Sequence, residues 1–437
     1  MSGRRLIALG ACGTGLLGLT ALGLYAQTHD NLNLFLAVAA AQSIIYLLSV
    51  WMVWNSLSAG PVLFMVIAVA GLARLPVLCA APYLSSDIYR YIWDGRVEAA
   101  GINPYRYIPA DPHLEALRDL RIYPQINRNN YAPTIYPPLA EAIFLGVTRV
   151  SESVTAMKAA MVGFEVVTVV VLFRLLAESA LPSARILVYA WHPLPIWEFA
   201  GSGHIDAAMI ALIALALWAQ RKGWDWLAGL SMAGATVIKL YPAVLGPAIY
   251  RRWSWPMPAV FAATVLLAYL PFVGAGWGVF GFLPGYVTEE GFNASGAGFY
   301  LWNLLRQLTP LADLSAVTYP IGAAAILAAI AIAVVFARNP ADVPFAGAAV
   351  LATTFIVLLS PHYPWYFAWL IVFACFARSP SLLWLTNACL LLYLVPVGSR
   401  IVADDHRLII ESLMYGPFAA LALIDIWYRR RRTIRSG

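Results

Sequence analysis

Charge is scarce in this sequence. Of 437 residues only 11% are Asp, Glu, Lys or Arg, less than half of the roughly 25% found in soluble globular domains. Such a chain cannot solvate an ordinary globular surface. It cannot stay disordered either, since disorder needs low hydrophobicity and abundant charge. Nucleic-acid binding is excluded as well, because the net charge is only +6 and the excess base gathers at the two chain ends, not in an interior patch. Cysteine is equally sparse: Cys12, Cys79, Cys375 and Cys389 all lie inside apolar runs. Their spacing suits neither a metal site nor a disulfide framework. Internal repeats and a separate soluble domain are also lacking.

What is present is apolar: 61% of the residues. About 20 such residues in a row cross a bilayer as a helix, and runs of that kind recur from 5–26 to 408–428. They predict an all-α, polytopic transmembrane bundle of about 12 crossings. It would form one integral membrane domain over residues 1–437, with short outer loops and interfacial helices. Segments 137–149 and 227–250 are short or interrupted by proline, and read as re-entrant or broken helices shielded by protein. Arg4 and Arg5 precede the first run, and Arg429 to Arg432 with Arg435 follow the last. The positive-inside rule then puts both termini in the cytoplasm, and the Arg tail beside anionic lipid headgroups. The first run has no small-residue cleavage pattern after it and reads as a helix, not a removed signal peptide.

The few charges are unevenly spread. Twelve of the chain's fifty Asp, Glu, Lys and Arg residues fall in residues 82–136, which after three crossings form the first outer loop. Loops of this length inside a compact protein are usually functional. A helix over 86–99, with Ser85 or Ser86 as its N-cap and Gly101 ending it, would set Asp87, Arg90, Tyr91 and Asp94 on one face. An ionised carboxylate at the start of that helix could accept a proton from a sugar hydroxyl. The plainer alternative is a solvated interfacial face on which Arg90 pairs with both acids. Glu198, His204 and Asp206 crowd into a tight, small-residue turn, WEFAGSGHIDA, where they can converge or simply form a polar turn. Ionisable groups at membrane depth are costly and tend to be functional. Lys239, beside the helix break at Pro242, can meet an anionic phosphate or snorkel to the cytoplasmic headgroups. Segment 277–298 forms a glycine-rich second outer loop. The turn SPHYPWY carries His362 and Tyr363, with Trp365 and Tyr366 as aromatic-belt residues. Arg400, His406 and Arg407 offer further cations on the same side.

Three motifs, in this order, carry a resemblance: SSDIYRYIWDGRVEAAGINPY followed by TIYPPLAEAIF, then WHPLPIWEFAGSGHIDA, then KLYPAVLGP. Together they resemble GT-C type glycosyltransferases, in particular family 87 and related bacterial mannosyltransferases, over about residues 60–370. The resemblance implies an inverting transfer of a hexose, mannose first, from a polyprenyl-phosphate donor to a lipid or glycan acceptor. The reaction would take place at the outer face of a bacterial plasma membrane. It implies Asp87 as the catalytic base. Relatives often carry a second acid just before it; here that position is Ser86, leaving Asp94 as the nearby second acid. Arg90, Tyr91, Asp94, Glu198, His204, Asp206, Lys239, Tyr241, His362, Tyr363 and Arg400 are the expected substrate-binding residues. No cofactor is expected, and a divalent cation is not indicated. A transporter or flippase for a lipid-linked or anionic substrate is the alternative, and it predicts symmetry between halves and polar residues at mid-bilayer depth. A structural subunit of a cell-envelope complex is a third reading.

Overall fold

The chain is described from a computed structural model covering residues 3–55, 60–293, 295–309, 315–337, 345–395 and 405–436. Only helices and turns occur among them. The helices that position the site are α1 (Gly3–Thr28), α2 (Leu32–Val53), α3 (Gly60–Cys79), α4 (Asp87–Ala99), α5 (Pro138–Val150), α6 (Val154–Glu178), α7 (Asp206–Lys222) and α8 (Asp225–Thr236).

Among the described residues, seven helices are long and apolar enough to cross a membrane. They are α1, α2, α3, α6, Pro256–Glu289, Thr318–Phe336 and Asp405–Trp427. The expected dozen plain crossings are therefore met only in part. The other apolar runs are broken: Phe345–Leu359, Pro364–Ala374 and Pro380–Leu394 are shorter pieces. At 1.5 Å rise per residue, a 15-residue helix such as Phe345–Leu359 extends roughly 22 Å, short of a hydrocarbon core of about 30 Å. Segment 227–250 is interrupted: α8 ends at Thr236, and short turns cover Tyr241–Leu245 and Gly246–Ile249. Pro242 and Pro247 lack the N–H that a continuing helix would need.

At the centre runs α7. Its sequence, DAAMIALIALALWAQRK, is apolar nearly all round, as a fully enclosed helix requires, and most of its residues are buried. Asp206 lies in its first turn and Arg221 and Lys222 in its last, each complementing the helix dipole. Gly223 closes it in the left-handed conformation (φ +74°), a conformation that costs glycine no Cβ strain. At the opposite extreme, the window of Thr318–Phe336 is 0% buried. Such an apolar surface is suited to lipid.

Charges inside the bundle are held by partners within it: buried Lys158 donates to the carbonyls of Val77 and Ala80, and others form ion pairs. Arg74 on α3 grips Glu165 on α6 with both Nε and Nη2 (3.0 and 2.7 Å), and its Nη1 donates to the carbonyls of Ala70 and Ala190. Removing one member of such a pair leaves a buried charge without compensation, at a cost of about 3–5 kcal/mol. Arg74→Met is therefore expected to lower the melting temperature of the detergent-solubilised protein sharply. The double variant Arg74→Met/Glu165→Gln should recover much of the loss, as thermal unfolding monitored by circular dichroism would show.

Candidate active site

The polar segment 82–136 folds back over the bundle through α4. The helix runs Asp87–Ala99, one residue shorter than the expected 86–99, with Ser86 at its cap position and Gly101 beyond its end at φ +78°. Its face is not solvated: Arg90, Tyr91 and Asp94 are all buried. The reason is α5, which lies tightly against it. A Cβ on Gly95 would stand 2.5 Å from the carbonyl oxygen of Phe144, so only glycine permits the approach. Tyr91 stacks on Phe144 with ring centroids 4.4 Å apart. Arg90 closes on Asp94 through Nε at 2.8 Å and donates through Nη1 to the carbonyl of Ala132. The Arg90–Asp94 pair exists, but inside the protein.

Between this loop, the break after α8 and the segments around residues 282–292 and 359–366 lies a cavity of about 630 Å³. Asp87, Arg90, Lys239, Tyr241 and Tyr363 line it, so residues far apart in the chain share one space. Asp87 is the first residue of α4, where a negative charge is favoured by the helix N-terminus. Its Oδ1 accepts a 2.7 Å hydrogen bond from Asn127, and its side chain keeps 20% exposure toward the cavity. Glu289 is the other lining carboxylate, and both its oxygens accept from Arg128 Nε, at 2.8 and 2.9 Å.

Lys239 does not snorkel away. Val237 ends the helical path of α8, and its carbonyl accepts from the N–H of Leu139 at the start of α5, which ties the two broken segments together. Lys239 Nζ then sits 2.8 Å from Asp206 Oδ2 and 4.5 Å above the ring of Tyr366. Tyr241 donates to the other oxygen of Asp206 at 3.0 Å. Asp206 is wholly buried, so it anchors Lys239 and Tyr241 from behind the cavity wall.

Glu198 and His204 are likewise fully buried. Glu198 lies in a π-helical turn, Ile196–Gly201, a local irregularity frequent at functional sites. Its Oε1 accepts from Tyr393 at 2.7 Å. His204 stands between this acid and Asp87, with Nε2 3.3 Å from Glu198 Oε2 and Nδ1 4.0 Å from Asp87 Oδ2. Its ring stacks on Trp365 at 3.9 Å.

His362 is buried beside the cavity, not in its lining. Its Nδ1 lies 2.7 Å from Glu290 Oε2, and its Nε2 is 3.0 Å from the Gly298 carbonyl. Glu290 also accepts from Tyr363 at 2.9 Å. Burial alone would push the Glu290 carboxyl up, but the His362 and Tyr363 hydrogen bonds and the charges of His362 and Arg128 hold it below its ordinary range. Burial works against the charge of Arg128 too, yet the acids and tyrosine around it keep its guanidinium protonated beyond the usual range. Arg400 lies outside the described residues. His406 is exposed, whereas Arg407 is buried and bonded to Glu411 and to the carbonyls of Ala297 and Gly298. Among the described residues, no group of three or more His, Cys, Asp and Glu side chains is arranged to hold a metal ion.

Several lining residues carry no motif in the sequence. Asn127 and Arg128 lie in an amide-rich stretch, QINRNNY, and Arg128 adopts φ +55°. A non-glycine residue in that left-handed region is uncommon. Tyr286 and Tyr393 come from two separate segments. Trp365 and Tyr366, read as belt residues, line the cavity as well.

Behind Arg90, the carboxyl of Glu98 is raised to about 7 by burial first and the neighbouring Asp94 charge second. A raised acid contributes its stability fully below its unfolded pKa, near 4.3, and loses it as pH climbs through about 7. Glu98→Gln is therefore expected to raise the melting temperature relative to wild type at pH 8 and to change it little at pH 4. Paired thermal melts across that window would read the difference.

No curated protein and no solved structure shows significant similarity to the chain. Residues 1–255 match the MptA_B family, described as alpha-(1->6)-mannopyranosyltransferase, N-terminal domain. That stretch is more than half of the 437 residues, and it contains Asp87, Asn127, Glu198, His204, Asp206 and Lys239. The chain belongs to this family of GT-C type mannosyltransferases, and seven of its described helices are long and apolar enough to cross a membrane.

Proposed function

We propose that the cavity carries out an inverting mannosyl transfer from a polyprenyl-phosphate mannose to a hydroxyl of a lipid or glycan acceptor. Asp87 takes the proton of the acceptor hydroxyl while its oxygen bonds to the anomeric carbon. The bond from that carbon to the phosphate oxygen breaks, and its electron pair stays on the phosphate. The family description, alpha-(1->6), favours a mannose 6-hydroxyl as the nucleophile. It also favours a β-linked donor, since one inversion of that linkage gives an α product.

The observation that carries this reading is that Asp87 and Lys239 line one cavity. A base for the acceptor and a cation for the leaving phosphate are thereby brought to the same space. Of the two lining carboxylates, Glu289 is committed to Arg128, whereas Asp87 is held in place by an amide. The leaving phosphate needs charge stabilisation more than protonation, and fixed cations in a partly dry site supply it well. Lys239, already oriented by Asp206 and Tyr366, fits that task, with Arg90 and Arg128 on other parts of the lining. Leu84, Ile135, Leu283, Val287 and Leu359 give the cavity an apolar side suited to a polyprenyl chain. In this reading the cavity opens toward the outer face of a bacterial plasma membrane, both termini are cytoplasmic, and the broken apolar segments bring the crossings to about twelve. No metal is assigned a step.

The reading is tested with protein reconstituted in lipid, radiolabelled polyprenyl-phosphate mannose and an α-mannoside acceptor. Asp87→Asn is expected to lower kcat by about 10²–10⁴-fold, the usual weight of a general base, with folding unchanged. Full turnover in that variant refutes the base. Lys239→Met combined with Asp206→Asn keeps the buried charge balanced and should weaken turnover of the phosphate-linked donor, read as a fall in kcat/KM. Uptake of donor without product would instead favour transport.

A further inference from the structure

The three ionisable residues of the WEFAGSGHID turn lie behind the cavity wall, and two of them form a line that ends on Asp87. Glu198 Oε2 is 3.3 Å from His204 Nε2, and His204 Nδ1 is 4.0 Å from Asp87 Oδ2. The ring cannot easily turn aside. It stacks on Trp365, its backbone N–H donates to the carbonyl of Glu198, and Gly203 before it takes φ +75°. A Cβ on Gly203 would stand 2.5 Å from Ile88 Cδ1, the residue next to Asp87, so the turn is pressed directly against the start of α4. At the far end Tyr393 fixes the other oxygen of Glu198. Neither ring nitrogen of the fully buried His204 has a well-formed hydrogen bond. Buried polar atoms of this kind call for an explanation beyond packing.

We infer that Glu198 and His204 are positioning residues that act through Asp87, forming a buried proton relay behind the base. The inference rests on Asp87 being the base. In the relay, His204 carries its proton on Nε2, facing Glu198, and presents the Nδ1 lone pair to Asp87. When Asp87 has taken the acceptor's proton, that proton passes from Oδ2 to Nδ1. The resulting imidazolium lies between the carboxylate of Glu198 and that of Asp87, which is ionised again. No charge is created or lost: one proton moves by one ring, and it returns through Asp87 to water when the cavity empties. The 4.0 Å separation is longer than a hydrogen bond, as such contacts commonly are before substrate tightens the site. A third group that orients a histidine and stabilises its charged form follows the logic of catalytic triads, here with the histidine placed behind a carboxylate and not a hydroxyl.

The test uses the full-length protein in lipid with three variants. Glu198→Gln is isosteric and keeps an acceptor for Tyr393. His204→Phe keeps the stack on Trp365 and removes both nitrogens. Asp87→Asn serves as the reference. The relay predicts that the first two lower kcat at least about 10²-fold, within the general acid–base range, while KM for donor and acceptor and the melting temperature stay near wild type. Wild-type kcat in both, beside an inactive Asp87→Asn, overturns the relay and leaves the base standing. An active Asp87→Asn overturns the base itself. A rise in KM without loss of kcat in Glu198→Gln would make these residues substrate contacts and overturn the relay. Loss of folding in Glu198→Gln would make them structural, with the same consequence.

Discussion

A charge held inside a protein that lives in a bilayer must find a counter-charge or backbone carbonyls within that protein, because neither lipid nor bulk water is there to supply a partner. The bundle is organised by this constraint. Arg74 and Glu165 join α3 to α6. Arg90 and Asp94 lie within α4 and face α5 and the loop end at Ala132. Asp206, at the first turn of the most enclosed helix, meets Lys239 from the broken segment after α8. Each pair fixes a helix or a chain break that apolar packing alone would leave free to slide, since one apolar side chain against lipid is as good as another.

The same constraint shapes the cavity. Its cations are matched by acids: Lys239 by Asp206 and Arg90 by Asp94 outside the lining, and Arg128 by Glu289 within it. Such partners hold long, flexible side chains in one orientation before any substrate arrives, which is how an active site avoids reorganisation during the reaction. Asp87 is the exception among the carboxylates here. It is fixed by an amide and faces a histidine. An acid engaged bidentate by a guanidinium would be a poor proton acceptor, so the choice of Asn127 as its partner suits a base.

Much of this was legible along the chain because the signals were local. The start of α4 at Asp87, its end at Gly101 and the break near Pro242 follow from caps and proline chemistry, and the structure contains each of them. The crowded turn at 198–206 was visible as ionisable residues in an apolar setting. The contributions of Asn127 and Arg128 were not, because nothing within their own segment distinguishes them from an ordinary polar loop. Tyr286 and Tyr393 are equally silent: tyrosine at a membrane edge is expected for other reasons. Arg400 falls outside the described residues, so its expected role has no structural counterpart here.

The sequence by itself determined that the chain is helical and membrane-bound, because composition and run length depend only on how each residue partitions between water and lipid. It also marked a small set of costly ionisable groups. Tertiary structure decided which of those groups face the cavity and which stand behind it. Asp87 and Lys239 became lining, while Asp94, Glu198, His204 and Asp206 are buried outside it. It further decided how many apolar runs form long helices. These choices rest on contacts between residues tens or hundreds of positions apart, such as Tyr393 on Glu198, and no local pattern encodes a contact of that range.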